Sequence, residues 1–163
     1  MKGFVSTVII VLGTYLLYTG SATPYDILSG FIIGLIVTFI VKDWVIENDS
    51  KFLNPKRWFY MAIYSIKYFF ITETLTHIDV AKRVFTLHTK PGIVRIPLNV
   101  KSDYGKILVA NSITNTPGTV VVDIDEENNV LYVHWIDVST FDEDEIKNAV
   151  VSYFEDYAKK IFD

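Results

Sequence analysis

Apolar and polar positions are distributed unevenly along this chain, and the imbalance divides it into two halves of different character. Gly3 to Tyr25 contains no charged residue, and a stretch of roughly 20 apolar residues suffices to cross a hydrocarbon core of about 30 Å. This run predicts a first transmembrane helix. Thr19-Gly20-Ser21-Ala22-Thr23-Pro24 then has turn chemistry, with Pro24 placed where a helix begins. Ile27 to Val41 is apolar for about four turns, extended by Trp44-Val45-Ile46 if Lys42 and Asp43 lie at the membrane surface. The pattern is that of a tight helical hairpin. A signal peptide fits less well, because the uncharged run is long for one and a second apolar run follows directly. Gly30 and Gly34, four apart, share a helix face, which either admits a close neighbouring helix or is simply tolerated in lipid.

Lys42 to Arg57 is polar and carries Lys42, Lys51, Lys56 and Arg57, whereas the preceding turn has no lysine or arginine. The positive-inside rule therefore places the N-terminus, marked by Lys2, and this connection on the cytoplasmic side. Trp58 to Thr72 is dense in Trp, Tyr and Phe but short, with Lys67 near its middle. Rings with an apolar body and a polar tip suit the headgroup region, so the segment reads as an interfacial helix continuing to about Phe85. A third span would move Lys82, Arg83, Lys90 and Arg95 to the disfavoured side, and would need partner helices around Lys67. Glu73 and His77, and likewise Asp79 and Arg83, are four apart and meet on one helix face. These pairs read first as solvated helix contacts, worth about a few tenths of a kcal/mol. Because ionisable groups near membrane depth are also functional candidates, the alternative reading assigns Lys67, Glu73 or His77 to an ion or proton path.

From Pro91 the pattern changes to that of a small soluble domain. Ile93 to Leu98 alternates as a strand, and Pro97 assigns it to a sheet edge. Asp103 is the expected cap of a helix reaching about Thr114. Thr119–Asp125 and Val130–Val138 are rich in β-branched and aromatic residues around Glu126-Glu127-Asn128-Asn129, which predicts a β-hairpin. Phe141 to Phe162 closes the chain as one amphipathic helix, with Ile146, Val150, Tyr153, Phe154, Tyr157 and Ile161 on its apolar face. Strand, helix, hairpin and helix imply an α+β domain with both helices on one face of a three-stranded sheet. The expected divisions are residues 1–46, a transmembrane hairpin; 47–85, a polar connection and aromatic amphipathic helix; and 86–163, a cytoplasmic α+β domain.

Composition narrows the function. The net charge of −4 and the lack of any basic run give no footprint for nucleic acid. The absence of cysteine excludes disulfides, thiolate metal sites and a cysteine nucleophile. His88 and His134 stand alone, and His134, alternating with Tyr132 and Ile136, reads as a hydrogen-bonded structural histidine. Asp123 and Asp125 share a strand face beside an acidic turn, as a solvated sheet face does. Ser112 lacks a nucleophile-elbow context and no phosphate loop is present. The sequence predicts no enzyme active site and no cofactor.

Asn111-Ser112-Ile113-Thr114 through Pro117-Gly118-Thr119, followed by VVDID and LYVHWIDV, resembles the signature of the E subunits of the multisubunit monovalent cation/proton antiporters, the Mrp or Mnh complexes. A related subunit belongs to membrane-bound hydrogenases with an Mrp-like module. The resemblance covers nearly the whole chain. Asn115 departs from it, since the family usually has an apolar residue there. The resemblance implies an accessory, non-catalytic subunit of the plasma membrane, needed for assembly and ion transport, with other membrane subunits as partners. It also raises the weight of Asn111, Thr114, Pro117, Gly118 and Thr119 as an assembly element, because short polar side chains beside a turn fix its backbone or present hydrogen-bonding groups. A membrane-anchored ligand-binding or sensory domain is the competing expectation.

Overall fold

The structure is a computed structural model that describes residues 3–46 and 48–163. The chain separates into two compact units, one ending at Pro55 and the other running from Lys56 to Asp163. The expectations for Lys2 and for the side chains of Lys42, Asp43, Trp44 and Val45 lie outside the described residues.

In the first unit, α1 (Phe4–Thr19) and α2 (Pro24–Val45) form an α-helical hairpin. Gly20 ends α1 in the left-handed region, at φ 64°, where a residue with a Cβ is strained. The first helix is therefore shorter than the uncharged run. Thr23 caps α2 through a capping box with Asp26, the side chain of each accepting the other's backbone N–H at 3.3 and 3.1 Å. Among the described residues, Pro24–Val41 is the stretch long and apolar enough to cross a membrane. Gly30 faces α1: a Cβ there would lie 2.6 Å from the Tyr15 ring, so the close approach it permits is within the hairpin. Tyr15 and Ser29 hydrogen bond at 3.0 Å across it. The start of α1 has no cap of its own. Asp49, opening the short α3 (Asp49–Phe52), supplies one by accepting from Ser6 N at 2.8 Å and Val5 N at 3.4 Å.

In the second unit, α4 (Pro55–Lys67) passes through a π turn (Tyr68–Thr72) into α5 (Glu73–Thr86). The reason is legible in spacing. Tyr64, Tyr68, Thr72, Thr76 and Val80 all face the same domain at intervals of four, which in a pure α-helix would drift by about 40° per step. The π turn, closed by the i→i+5 bond from Glu73 N–H to Tyr68 O, inserts one residue and takes back about 100° of that drift.

The sheet has strand order β1-β3-β2, all antiparallel, built from β1 (Gly92–Pro97), β2 (Thr119–Asp125) and β3 (Val130–Trp135). Pro97 does end an edge strand. A bulge between Val121 and Asp123 interrupts the pairing of β2. Val94, Ile96, Leu131 and Val133 form the buried face, covered by Val109 and Ile113 of α6 (Asp103–Asn115), Ile146 of α7 (Glu143–Val150), Phe154 and Ile161 of α8 (Ser152–Phe162), and Tyr64 and Tyr68. Ile93 and Val120 on the other face are exposed.

Three local expectations change. Ser102, not Asp103, caps α6, its hydroxyl accepting from Gly105 N at 3.3 Å. The C-terminal helix is two helices, broken at Val151 (φ −121°, ψ −36°), a buried residue that turns α8 back onto the core. The side chain of His134 is half-buried and finds no hydrogen-bond partner among the described residues, because the sheet face it occupies is uncovered.

Candidate functional site

The signature segment folds as the end of α6, a turn and the start of β2. Thr116 leaves the helix at ψ 123°, the extended conformation that a following proline imposes. Gly118 has φ 93°, and a Cβ there would meet Ile136 Cγ2 at 3.0 Å and Val80 Cγ2 at 3.4 Å. Only glycine fits both the backbone and the space. The carbonyls left open at the helix end are taken up locally: Thr119 Oγ1 donates to Ile113 O at 2.7 Å, and Thr116 Oγ1 to Ser112 O at 2.7 Å. Thr114 Oγ1 accepts from Val121 N at 3.2 Å, covering a backbone donor on the free edge of β2. Asn111 and Asn115 are exposed.

Ser112 is the hub of this region. Its hydroxyl bonds to Tyr64 OH and donates to Leu108 O at 2.6 Å, while its carbonyl accepts from Thr116 and, at 3.4 Å, from Tyr68 OH. Tyr64 also packs against Tyr68, Tyr153 and Tyr157, with ring centroids 5.7, 6.2 and 5.4 Å away. The signature is thereby tied to the aromatic helix through buried phenols. Among the described residues the Ser112 hydroxyl has Tyr64 OH and Leu108 O as its partners and no histidine, the group that would activate a serine nucleophile.

Beside the turn lies an open cavity of about 250 Å³, lined by Thr72 and Thr76 from the helix, Pro117 and Gly118 from the turn, Trp135 from β3 and Tyr153 from α8. The Tyr153 hydroxyl is buried beside Thr72 with no hydrogen-bond partner of good geometry among the described residues. Of the assembly candidates, Pro117, Gly118 and Thr119 line this cavity, whereas Asn111 and Thr114 do not.

The ion-path candidates are not gathered together. Lys67 is exposed, with its ammonium 5.8 Å from the centre of the Tyr157 ring. Glu73, with an 18% exposed side chain, has one carboxylate oxygen buried with no hydrogen-bond partner of good geometry among the described residues, and the other 3.4 Å from His77 Nδ1; the Tyr68 phenol is its nearby polar neighbour. The His77 side chain is 66% exposed. Among the described residues no group of three or more His, Cys, Asp or Glu side chains is placed to hold a metal. A deeper ionic group is Glu155, whose side chain is 3% exposed between Lys147 and Lys159, each 3.0 Å away, and which accepts from Asn99 N at 2.6 Å. Burial pushes this carboxyl up, but the two ammonium groups and the amide outweigh it and hold it below the usual carboxylate range.

Sequence reasoning did not single out Tyr64, Tyr68 or Thr116, and it read Ser112 only as part of the signature and Tyr153 only as an apolar-face residue. The spacing of four from Tyr64 to Val80 was the available signal, but it is helical only once a π turn is admitted.

A profile of the family described as Na+/H+ ion antiporter subunit matches residues 8–161. Among curated proteins, the chain is 32% identical over 123 residues to the Na(+)/H(+) antiporter E subunit of Alkalihalophilus pseudofirmus, covering 74% of this chain and 75% of that one. It is 34% identical over 136 residues to the Na(+)/H(+) antiporter E1 subunit of Staphylococcus haemolyticus, covering 80% of each. Among solved structures, it is similar to a chain of the membrane-bound sulfane sulfur reductase, an archaeal respiratory membrane complex, with TM-score 0.78 and 29% identity over 99% of this chain and 100% of that one. With a match running through both structural units and relatives above 30% identity along most of their length, this chain belongs to the family of Na+/H+ antiporter E subunits.

Proposed function

We propose that this protein is an accessory, non-catalytic subunit of a multisubunit membrane complex that exchanges Na+ for H+, or of a respiratory complex built on a related ion-translocating module. The observation that carries this reading is the family match over residues 8–161, which includes the apolar hairpin as well as the sheet domain. Exposed apolar surface supports it: Leu28, Ile36 and Ile40 on α2, and Phe59, Phe70 and Phe85 along α4 to α5, are exposed in the isolated chain, as surfaces made for lipid or partner helices are.

In this reading α1 and α2 cross the plasma membrane, with the Lys51 to Arg57 connection and the sheet domain on the cytoplasmic side. The aromatic helix lies in the cytoplasmic interface, and the functional divisions are 1–46, 47–85 and 86–163. The turn at Pro117-Gly118 with its cavity, flanked by Asn111, Thr114 and Thr119, is the assembly element. Glu73, whose carboxylate has a buried oxygen with no hydrogen-bond partner of good geometry among the described residues, is the member of the Lys67, Glu73 and His77 group suited to an ion or proton. The archaeal relative sits in a sulfane sulfur reductase, so a respiratory home need not be a hydrogenase.

The test is a mild-detergent pull-down of the tagged chain from its native membrane, with co-purifying proteins identified by mass spectrometry. Recovery of large multispan antiporter-like subunits is the expected result, and redox subunits among them would identify a respiratory complex. A chain that emerges alone and well folded would overturn the subunit reading in favour of an anchored ligand-binding domain.

A further inference from the structure

Two lysines from different elements converge on one ring. Lys160 of α8 places its ammonium 5.3 Å from the centre of the Tyr157 ring and 6.0 Å from that of Tyr60, and Lys67 of α4 lies 5.8 Å from Tyr157. Among the described residues neither lysine has a carboxylate within 4 Å, although Asp156 precedes Tyr157 and Glu155 lies one residue further back. Glu155 is engaged by Lys147 and Lys159. Arg57, on the same seam between α4 and α8, has its guanidinium on Ile161 O at 2.7 Å.

α4 and the π turn that follows it expose Phe59, Ile66 and Phe70 at 64, 60 and 75%. A site that joins apolar side chains to a pair of cations held over phenol rings matches a phosphate carried on acyl chains. We infer that Lys67, Lys160 and the Tyr60 and Tyr157 rings form a binding site for the headgroup phosphate of an anionic phospholipid. The apolar side chains of α4 and the π turn hold the acyl region, and the lysines reach the phosphate as flexible point charges. This rests on the interfacial placement of the helix proposed above. It gives Lys67 a ligand that belongs to the bilayer rather than to an ion path.

The experiment uses the full chain in mild detergent, titrated with dioleoyl phosphatidylglycerol or dioleoyl phosphatidylcholine and read by native mass spectrometry of the lipid adducts. Phosphatidylglycerol is expected to bind more tightly, with the preference falling about fivefold for each of Lys67→Gln and Lys160→Gln and about thirtyfold for both. The Lys67→Arg, Lys160→Arg double variant and a Lys106→Gln control are expected to keep it. An unchanged preference in the double glutamine variant overturns the site. Lysine-dependent thermal stabilisation by inorganic phosphate at the same concentrations, with no lipid preference, overturns the lipid as ligand. Because the chain has no cysteine, a fluorophore on Phe70→Cys in reconstituted vesicles reports the helix separately. Quenching by lipid-borne quenchers is expected, and a label reached only by water-soluble quenchers would overturn the interfacial reading itself.

Discussion

Tyr64 and Ser112, 48 residues apart in sequence, share a buried hydrogen bond that joins the aromatic helix to the signature helix α6. The Ser112 hydroxyl also donates to Leu108 O, so it sits between a phenol and its own helix backbone. Tyr64→Phe removes one partner and leaves Ser112 satisfied, which should cost about 1 kcal/mol. Ser112→Val removes the hub and adds bulk at a buried position, and should cost roughly 2 to 3 kcal/mol. Thermal unfolding of the full chain measures both, and an effect of Tyr64→Phe exceeding that of Ser112→Val would contradict the assignment of Ser112 as the hub.

Gly118→Ala combines an unfavourable φ of 93° with a Cβ 3.0 Å from Ile136. The expected loss is about 1 to 3 kcal/mol. Because Gly118 lines the cavity, recovery of partner subunits should fall more than for an equally destabilising substitution at the core residue Ile146. Matched thermal shifts and pull-down yields for the two variants decide this.

The Glu155 carboxyl is held below its ordinary value of 4.5 in the folded chain. Its contribution to stability is therefore present above that value and is lost as pH falls through the depressed folded value, where the folded state takes up the proton. Glu155→Gln should flatten the acid limb of the stability profile below about pH 4.5. Glu155→Ala, leaving Lys147 partly buried without its counter-charge, should cost about 3 kcal/mol at neutral pH. Denaturant unfolding across pH 3 to 7 reads both, and an unaltered acid limb in the glutamine variant would sink the assignment.

Arg83 donates to Asp79 at 2.7 Å and to Asp137 at 2.5 Å, and so fastens the end of α5 to the chain just after β3. Arg83→Lys cannot span both carboxylates in the same planar geometry. Faster amide exchange in residues 80–86, with little change around Tyr64, is the expected outcome for Arg83→Lys and more strongly for Arg83→Ala. Uniform change along the whole helix would argue against a local clamp.

In the hairpin, Asp49→Ala removes the carboxylate that receives Val5 N and Ser6 N, and should cost about 1 kcal/mol, whereas Asp49→Asn retains an acceptor and should cost less. Helix content by circular dichroism in detergent through a thermal ramp separates the two.

Local chemistry alone determined most of the element plan. Apolar runs and turn residues marked α1 and α2, β-branched alternation marked β2 and β3, and Pro97 placed β1 at an edge, because each signal depends on backbone preferences acting over a few residues. The signature from Asn111 to Thr119 was also legible, since Pro117 and Gly118 impose their turn wherever they stand. Tertiary structure decided the rest. Ser112 became a hub only when Tyr64 and Tyr68 arrived from another helix, and the π turn exists because one helix must keep facing a single domain from Tyr64 to Val80. The break at Val151 follows from the same cause: an amphipathic pattern gives the period of a helix, while the shape of the core it must cover sets where that helix bends.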